Sequence, residues 1–186
     1  MLTKIKVVAV LIIFALSGSL FASVGERPIP RSQWNRSIWE VSARSVIGEA
    51  GFGEDEEHGA IMWVYAKQYK RLRSMGKKVS FAMVVKQYSW AVKDRPDHPR
   101  PWLFQLHMGI KKKPADWPKG INWKLHRGLW RQAVELLGEW QKGNIPDLYP
   151  LATEFGGEMD IPRAKRFGLV RVVRINTDGN IFWRSK

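Results

Sequence analysis

The residues best able to do chemistry lie in Ala43-Arg44-Ser45-Val46-Ile47-Gly48-Glu49-Ala50-Gly51-Phe52-Gly53-Glu54. Glu49 stands at the end of an apolar helical segment, just before glycines that break it. Ile38, Val41, Ser45, Val46 and Glu49 recur at spacings of three and four, so this carboxylate shares a face with residues bound for the interior. A carboxylate pressed against apolar surface is poorly solvated, its neutral form is favoured, and it can hold a proton near neutral pH. A general acid that cleaves a glycosidic bond must do the same. The bland alternative is an exposed glutamate at a frayed helix end. Glu54 could be the second carboxylate of a glycosidase pair, although a helix-start residue favoured by the dipole fits its position better.

Two further segments carry mixed chemistry. Gln87-Tyr88-Ser89-Trp90 joins two stacking aromatics to two hydrogen-bonding side chains, a combination suited to the apolar faces and hydroxyl edges of sugar rings. Aromatics in helical proteins more often fill the core, but the prolines that follow put Trp90 at a loop reaching the surface. Ala152-Thr153-Glu154-Phe155-Gly156-Gly157-Glu158-Met159-Asp160 sets paired glycines, which admit a close ligand or a sharp turn, among polar groups. A plain surface loop is the equal alternative there. The histidines, His58, His98, His107 and His126, lack metal-ligand spacing, so no metal or cofactor is expected. His126 reads as a packed core residue. No Ser-His-Asp arrangement or phosphate-cradling loop occurs.

These residues need elements to hold them. A helix is expected over Arg36 to Ala50, a second from Asp55 to near Gly76, and a third, short one capped by Ser80. Trp102 to Ile110 suggests another short helix, between loops at Asp94 to Pro101 and Pro114 to Pro118. Asn122 to Gly143 is the clearest helix, with Trp123, His126, Leu129, Trp130, Ala133, Leu136, Leu137 and Trp140 on one stripe. Beyond Pro146, Leu169 to Ile175 and Ile181 to Trp183 read as short strands joined by the turn Thr177-Asp178-Gly179-Asn180. The expected fold is mainly helical (α+β) with a small C-terminal β-hairpin, in one unit over residues 36–186.

The chain has 186 residues, ten tryptophans and no cysteine, which excludes disulfides, cysteine-based zinc sites and a cysteine nucleophile. Lys4 and Lys6 followed by the apolar run of residues 7–22 read as an export signal, cut after Ala22 or Ser19. The run falls short of a hydrocarbon core of about 30 Å, and an uncleaved anchor over 7–22 is the alternative. Export implies the periplasm or cell envelope. Residues 23–35 read as a linker. The formal charge is +14. Outside the cell, that suits lipopolysaccharide, teichoic acids or anionic phospholipid, with Lys67 to Lys78 and Lys111 to Lys113 as the basic clusters. A specific nucleic-acid partner is not expected, because no reader motif is present.

The pattern resembles the cell wall hydrolase family of spore-cortex-lytic (SleB-like) enzymes and their phage endolysin relatives. Ala43, Arg44, Gly48, Glu49 and Ala50 match its Ala-Arg-x-x-x-Gly-Glu-Ala element, and Gly53-Glu54 its following Gly-Glu. Gly59 to Val64 is similar to its Ala-rich helix, Gln87 to Trp90 to its Gln-Phe-Ser-Trp box, and Ala152 to Phe155 to its Ala-Thr-His-aromatic segment. Three departures stand out: one extra residue between the two glutamates, Glu154 in place of the histidine, and no Asn-Arg near Ala66-Lys67-Gln68. The resemblance implies a lysozyme-like fold that cleaves peptidoglycan between muramyl and glucosaminyl residues, as a lytic transglycosylase or muramidase. Glu49 would be the general acid/base. The contact set would be Glu54, Gln87, Tyr88, Ser89, Trp90, Thr153, Glu154, Phe155 and Gly156. The competing expectation is a catalytically silent basic module that adheres to wall or membrane.

Overall fold

In the computed structural model, which describes residues 27–93, 98 and 100–186, most helices start where a side chain takes over an orphan amide. The expected export signal and the start of the linker lie outside the described residues, as do 94–97 and 99 of the proline-rich loop. Helix α1 (Arg36–Ala50) is capped by Asn35, which accepts the Ile38 N–H at 3.1 Å. Helix α2 (Asp55–Ser74) has no side-chain cap, but Asp55, Glu56 and Glu57 lie in its first turn and Arg71 and Arg73 in its last, each on the side the dipole favours. Helix α3 (Phe81–Tyr88) is capped by Ser80, accepting the Met83 N–H at 3.2 Å. Helix α4 (Trp123–Lys142) is capped by Asn122 and stops at Gly143, whose φ of 87° is left-handed.

The apolar faces of α1 to α4 meet around Trp140, which is 0% exposed. Its indole stacks on Phe81 at 5.8 Å between ring centroids and meets Trp34 (5.8 Å) and Trp63 (5.7 Å) edge-on. Ile29 joins the same core at 1% exposure, so the segment expected as a linker is in part a packing element. The expected helix at Trp102 to Ile110 is a 3-10 turn over Pro101–Gln105, because Leu106 is already extended.

Three antiparallel strands follow: β1 (Glu154–Gly156), β2 (Val170–Arg174) and β3 (Ile181–Arg184), in the order β1-β3-β2. The pairing of β2 with β3 is the expected hairpin, with a bulge between Arg171 and Val173. Strand β1 is an addition, because the double-glycine segment was expected to be a turn or loop. So is helix α5 (Ile161–Arg166). Phe155 pairs with Phe182 across the sheet, and its ring meets Tyr65 of α2 edge-on at 5.6 Å, which seats the sheet against the helices. The described chain is thus mainly helical with one small antiparallel sheet. Among the described residues no helix is long and apolar enough to cross a membrane.

Candidate active site

Glu49 occupies the last turn of α1, and Gly51, with φ 59°, turns the chain away from it. One residue earlier, Gly48 permits a close approach. A Cβ there would lie 2.2 Å from the Ala91 Cβ and 2.8 Å from Leu103 Cδ1. With hydrogen in its place, the 3-10 turn Trp90–Val92 presses onto α1. That contact delivers two donors to one oxygen of Glu49. The Ser89 hydroxyl donates to Oε1 at 2.7 Å and the Ala91 N–H at 3.0 Å. Among the described residues, the other oxygen receives no protein hydrogen bond. Tyr65, wholly buried beside it, bonds the Ser45 hydroxyl at 2.6 Å. Burial, and then the charge of Glu49, push its phenol well above the ordinary tyrosine value, so it keeps its proton.

Glu49 opens into a cleft of about 1020 Å³. Tyr88 and Trp90 line it from one segment, Phe155, Gly156, Gly157 and Asp160 from another, and the hairpin loop 176–180 from a third. Trp90 is 47% exposed and the Lys93 ammonium lies 5.4 Å from its ring centroid. Buried His98 fixes this rim: its Nε2 donates to the Trp90 carbonyl at 3.0 Å while Nδ1 accepts the Arg100 N–H at 2.9 Å. The Arg100 guanidinium in turn donates to the Gly48 carbonyl.

The expected site residues divide. Glu49, Tyr88, Trp90, Phe155 and Gly156 share the cleft, and Ser89 supports Glu49 from beneath. Glu54 does not join them, because it is exposed ahead of α2 and serves that helix start through its carbonyl. Gln87 is exposed on α3, outside the cleft lining. Thr153 and Glu154 sit behind the lining, against α2. Gln68 donates to the Thr153 carbonyl at 2.7 Å and to Glu154 Oε1 at 3.3 Å. Burial raises the Glu154 carboxyl above the usual range, against the pull of Arg163 and Arg71. His126 is half-buried rather than core, packed edge-on to Trp102 at 4.4 Å. Lys67 belongs to no open basic face, since Asp147 pairs with it at 2.9 Å. Lys111, Lys112 and Lys113 are exposed.

Among the cleft residues that escaped the sequence reading, Glu57 and Asn180 are joined to each other. Glu57 is only 2% exposed, yet lines the cleft. Its place in Asp55-Glu56-Glu57 suggested a solvated first turn. The better signal was its spacing to Ile61, Val64, Tyr65 and Gln68, all on the inner face of α2. Asn180 donates to Glu57 Oε1 from both its backbone and its side chain, and its side chain also reaches the Glu49 carbonyl at 3.2 Å.

Among the described residues, no group of three or more His, Asp or Glu side chains is placed to hold a metal ion. The chain matches no protein-family model, no curated protein and no solved structure. The arrangement places an oriented carboxylate, Glu49, and a buried one, Glu57, in an aromatic-walled cleft.

Proposed function

We propose that this protein cleaves the glycan strand of peptidoglycan, with Glu49 as proton donor to the bond between muramyl and glucosaminyl residues. One observation carries the reading. Glu49 is clamped through Oε1 by Ser89 and Ala91, inside a cleft walled by Tyr88, Trp90 and the Phe155 to Gly157 segment. Three segments distant in sequence, each similar to a motif of the SleB-like hydrolases, border that one cleft. A lysozyme-like arrangement is the fold reading that goes with it, and an exported setting is where its substrate is found.

The aromatic rings take the apolar faces of the sugars, and the second oxygen of Glu49 carries the proton to the glycosidic oxygen. In a transglycosylase, the resulting carboxylate then accepts the proton of the muramyl 6-hydroxyl as it closes a 1,6-anhydro ring. One carboxylate suffices for that route. If water attacks instead, a second carboxylate has to activate it. Glu57 lines the cleft, whereas Glu54 and Glu154 are outside its lining.

Glu49→Gln keeps the shape and removes the donor. We expect clearing of purified sacculi to fall by at least about a hundredfold, with the thermal midpoint unchanged. Wild-type clearing by this variant overturns the role. Mass spectrometry of wild-type products separates the two routes, since anhydro ends and reducing ends differ by one water. Pelleting with sacculi but no soluble muropeptides from the wild type would replace the enzyme by a silent wall-binding module.

A further inference from the structure

A second depression, of about 500 Å³, borders the same 3-10 turn. Trp90 and Ala91 line the cleft, Val92 lines this groove, and Lys93 lines both. The turn is therefore a thin partition, with Lys93 at its rim. Among the described residues around the groove stand three cations, Arg44, Lys86 and Lys93, above the apolar surface of Val41, Val92 and Phe104. Among the described residues that line it, the one acid, Glu40, is already engaged by Arg36 Nε at 2.9 Å and by Arg44 Nη2 at 3.8 Å. Arg44 is held in place by donating from Nε to the Leu106 carbonyl at 2.7 Å. A half-buried guanidinium fixed in this way is a ready fork for a carboxylate.

We propose that this groove binds a carboxylate of the peptide attached to the glycan strand that lies in the cleft. The proposal rests on the glycan-cleaving reading and adds a specificity to it. A muramyl sugar seated against Trp90 carries its peptide on a side branch, and a branch crossing Lys93 enters the groove directly. Stem peptides join short aliphatic side chains to free carboxylates, which matches an apolar floor under three cations. A neutral glycan without peptide has nothing to place there.

Lys86 is exposed on α3 and takes no part in the cleft, so Lys86→Glu tests the groove without touching Glu49 or its clamp. On peptide-bearing strands we expect KM to rise about threefold to tenfold, as for loss and reversal of a partly screened ion pair, with kcat unchanged. On strands stripped of peptide by an amidase, both constants should equal those of wild type. An equal rise on both substrates, or no rise on either, overturns the proposal. A free acidic stem tetrapeptide titrated into Glu49→Gln gives a readout independent of cleavage. Amide resonances of Ser37 and Phe104 should shift, and Lys86→Glu should move the midpoint of that titration to about threefold to tenfold higher peptide concentration. Absence of shifts sinks the groove while leaving the glycosidase reading intact, and absent cleavage with shifts present does the reverse. Equal shifts with polyphosphate would mark an unselective cation patch and overturn the assignment.

Discussion

Asn180 closes the hairpin loop onto Glu57 with both of its donors, the backbone N–H at 2.7 Å and Nδ2 at 2.8 Å on the same oxygen. Its Nδ2 also lies 3.2 Å from the carbonyl of Glu49. One residue of the hairpin loop thus ties the buried acid of α2 to the end of α1. The other oxygen of Glu57 faces the glycine turn, where a Cβ on Gly53 would stand 2.6 Å from it. The two walls of the cleft are joined at this point.

Breaking the clasp should be costly because Glu57 is buried. Asn180→Ala keeps the backbone N–H but takes the Nδ2 donor from the buried Glu57 carboxylate, and we expect a loss of about 1–3 kcal/mol in urea denaturation. Glu57→Ala should cost a similar amount. The double variant should lose less than the sum of the two, by at least about 0.5 kcal/mol, since the second change removes a partner already gone. Strictly additive losses would show that the two side chains act separately.

Gly48 makes a different prediction, about approach rather than charge. A methyl group there would overlap Ala91 and Leu103, so the Trp90–Val92 turn must move away from α1. Gly48→Ala should lower stability by about 1–3 kcal/mol through overpacking. It should also slow sacculus clearing, because Ser89 and Ala91 leave Glu49 together. Adding Ala91→Gly removes the nearest clash and should restore part of both. A stable, fully active Gly48→Ala would refute the link between this contact and the clamp.

How much of this was legible depended on whether the signal was local. Asn35, Ser80, Asn122 and Gly143 act within a turn of where they stand, so the bounds of α1, α3 and α4 could be read from the chain. The placement of Glu49 followed from its spacing to Val41, Ser45 and Val46. Strand β1 could not be read, since Glu154, Phe155 and Gly156 become a strand only by pairing with Trp183, Phe182 and Ile181. Glu154 was expected beside the substrate, but that pairing leaves its side chain against Gln68 instead. Helix α5, with Pro162 in six residues, carries too short a period to be seen. The role of Glu57 required knowing where residue 180 would land, 123 positions away.

His58, one residue beyond Glu57, gives the protein a defined weakness in acid. It is 1% exposed, and burial holds its pKa below the ordinary 6.5 despite the Gly51 carbonyl, Glu57 and Asp55, which pull the other way. The folded chain therefore takes up this proton less readily than the unfolded chain. Above pH 6.5 both states carry neutral imidazole and the contribution to stability is complete. As pH falls from 6.5 through the lowered folded value, the unfolded state binds the proton first and stability is lost. The loss is about 1.4 kcal/mol for every tenfold by which the unfolded chain binds that proton more tightly. His58→Leu removes that titration and leaves the carboxylates in place. The difference in thermal midpoint, variant minus wild type, should be constant above pH 7 and climb steadily between about pH 6.5 and 5. A difference that stays flat across that interval would show that His58 is not the group being titrated.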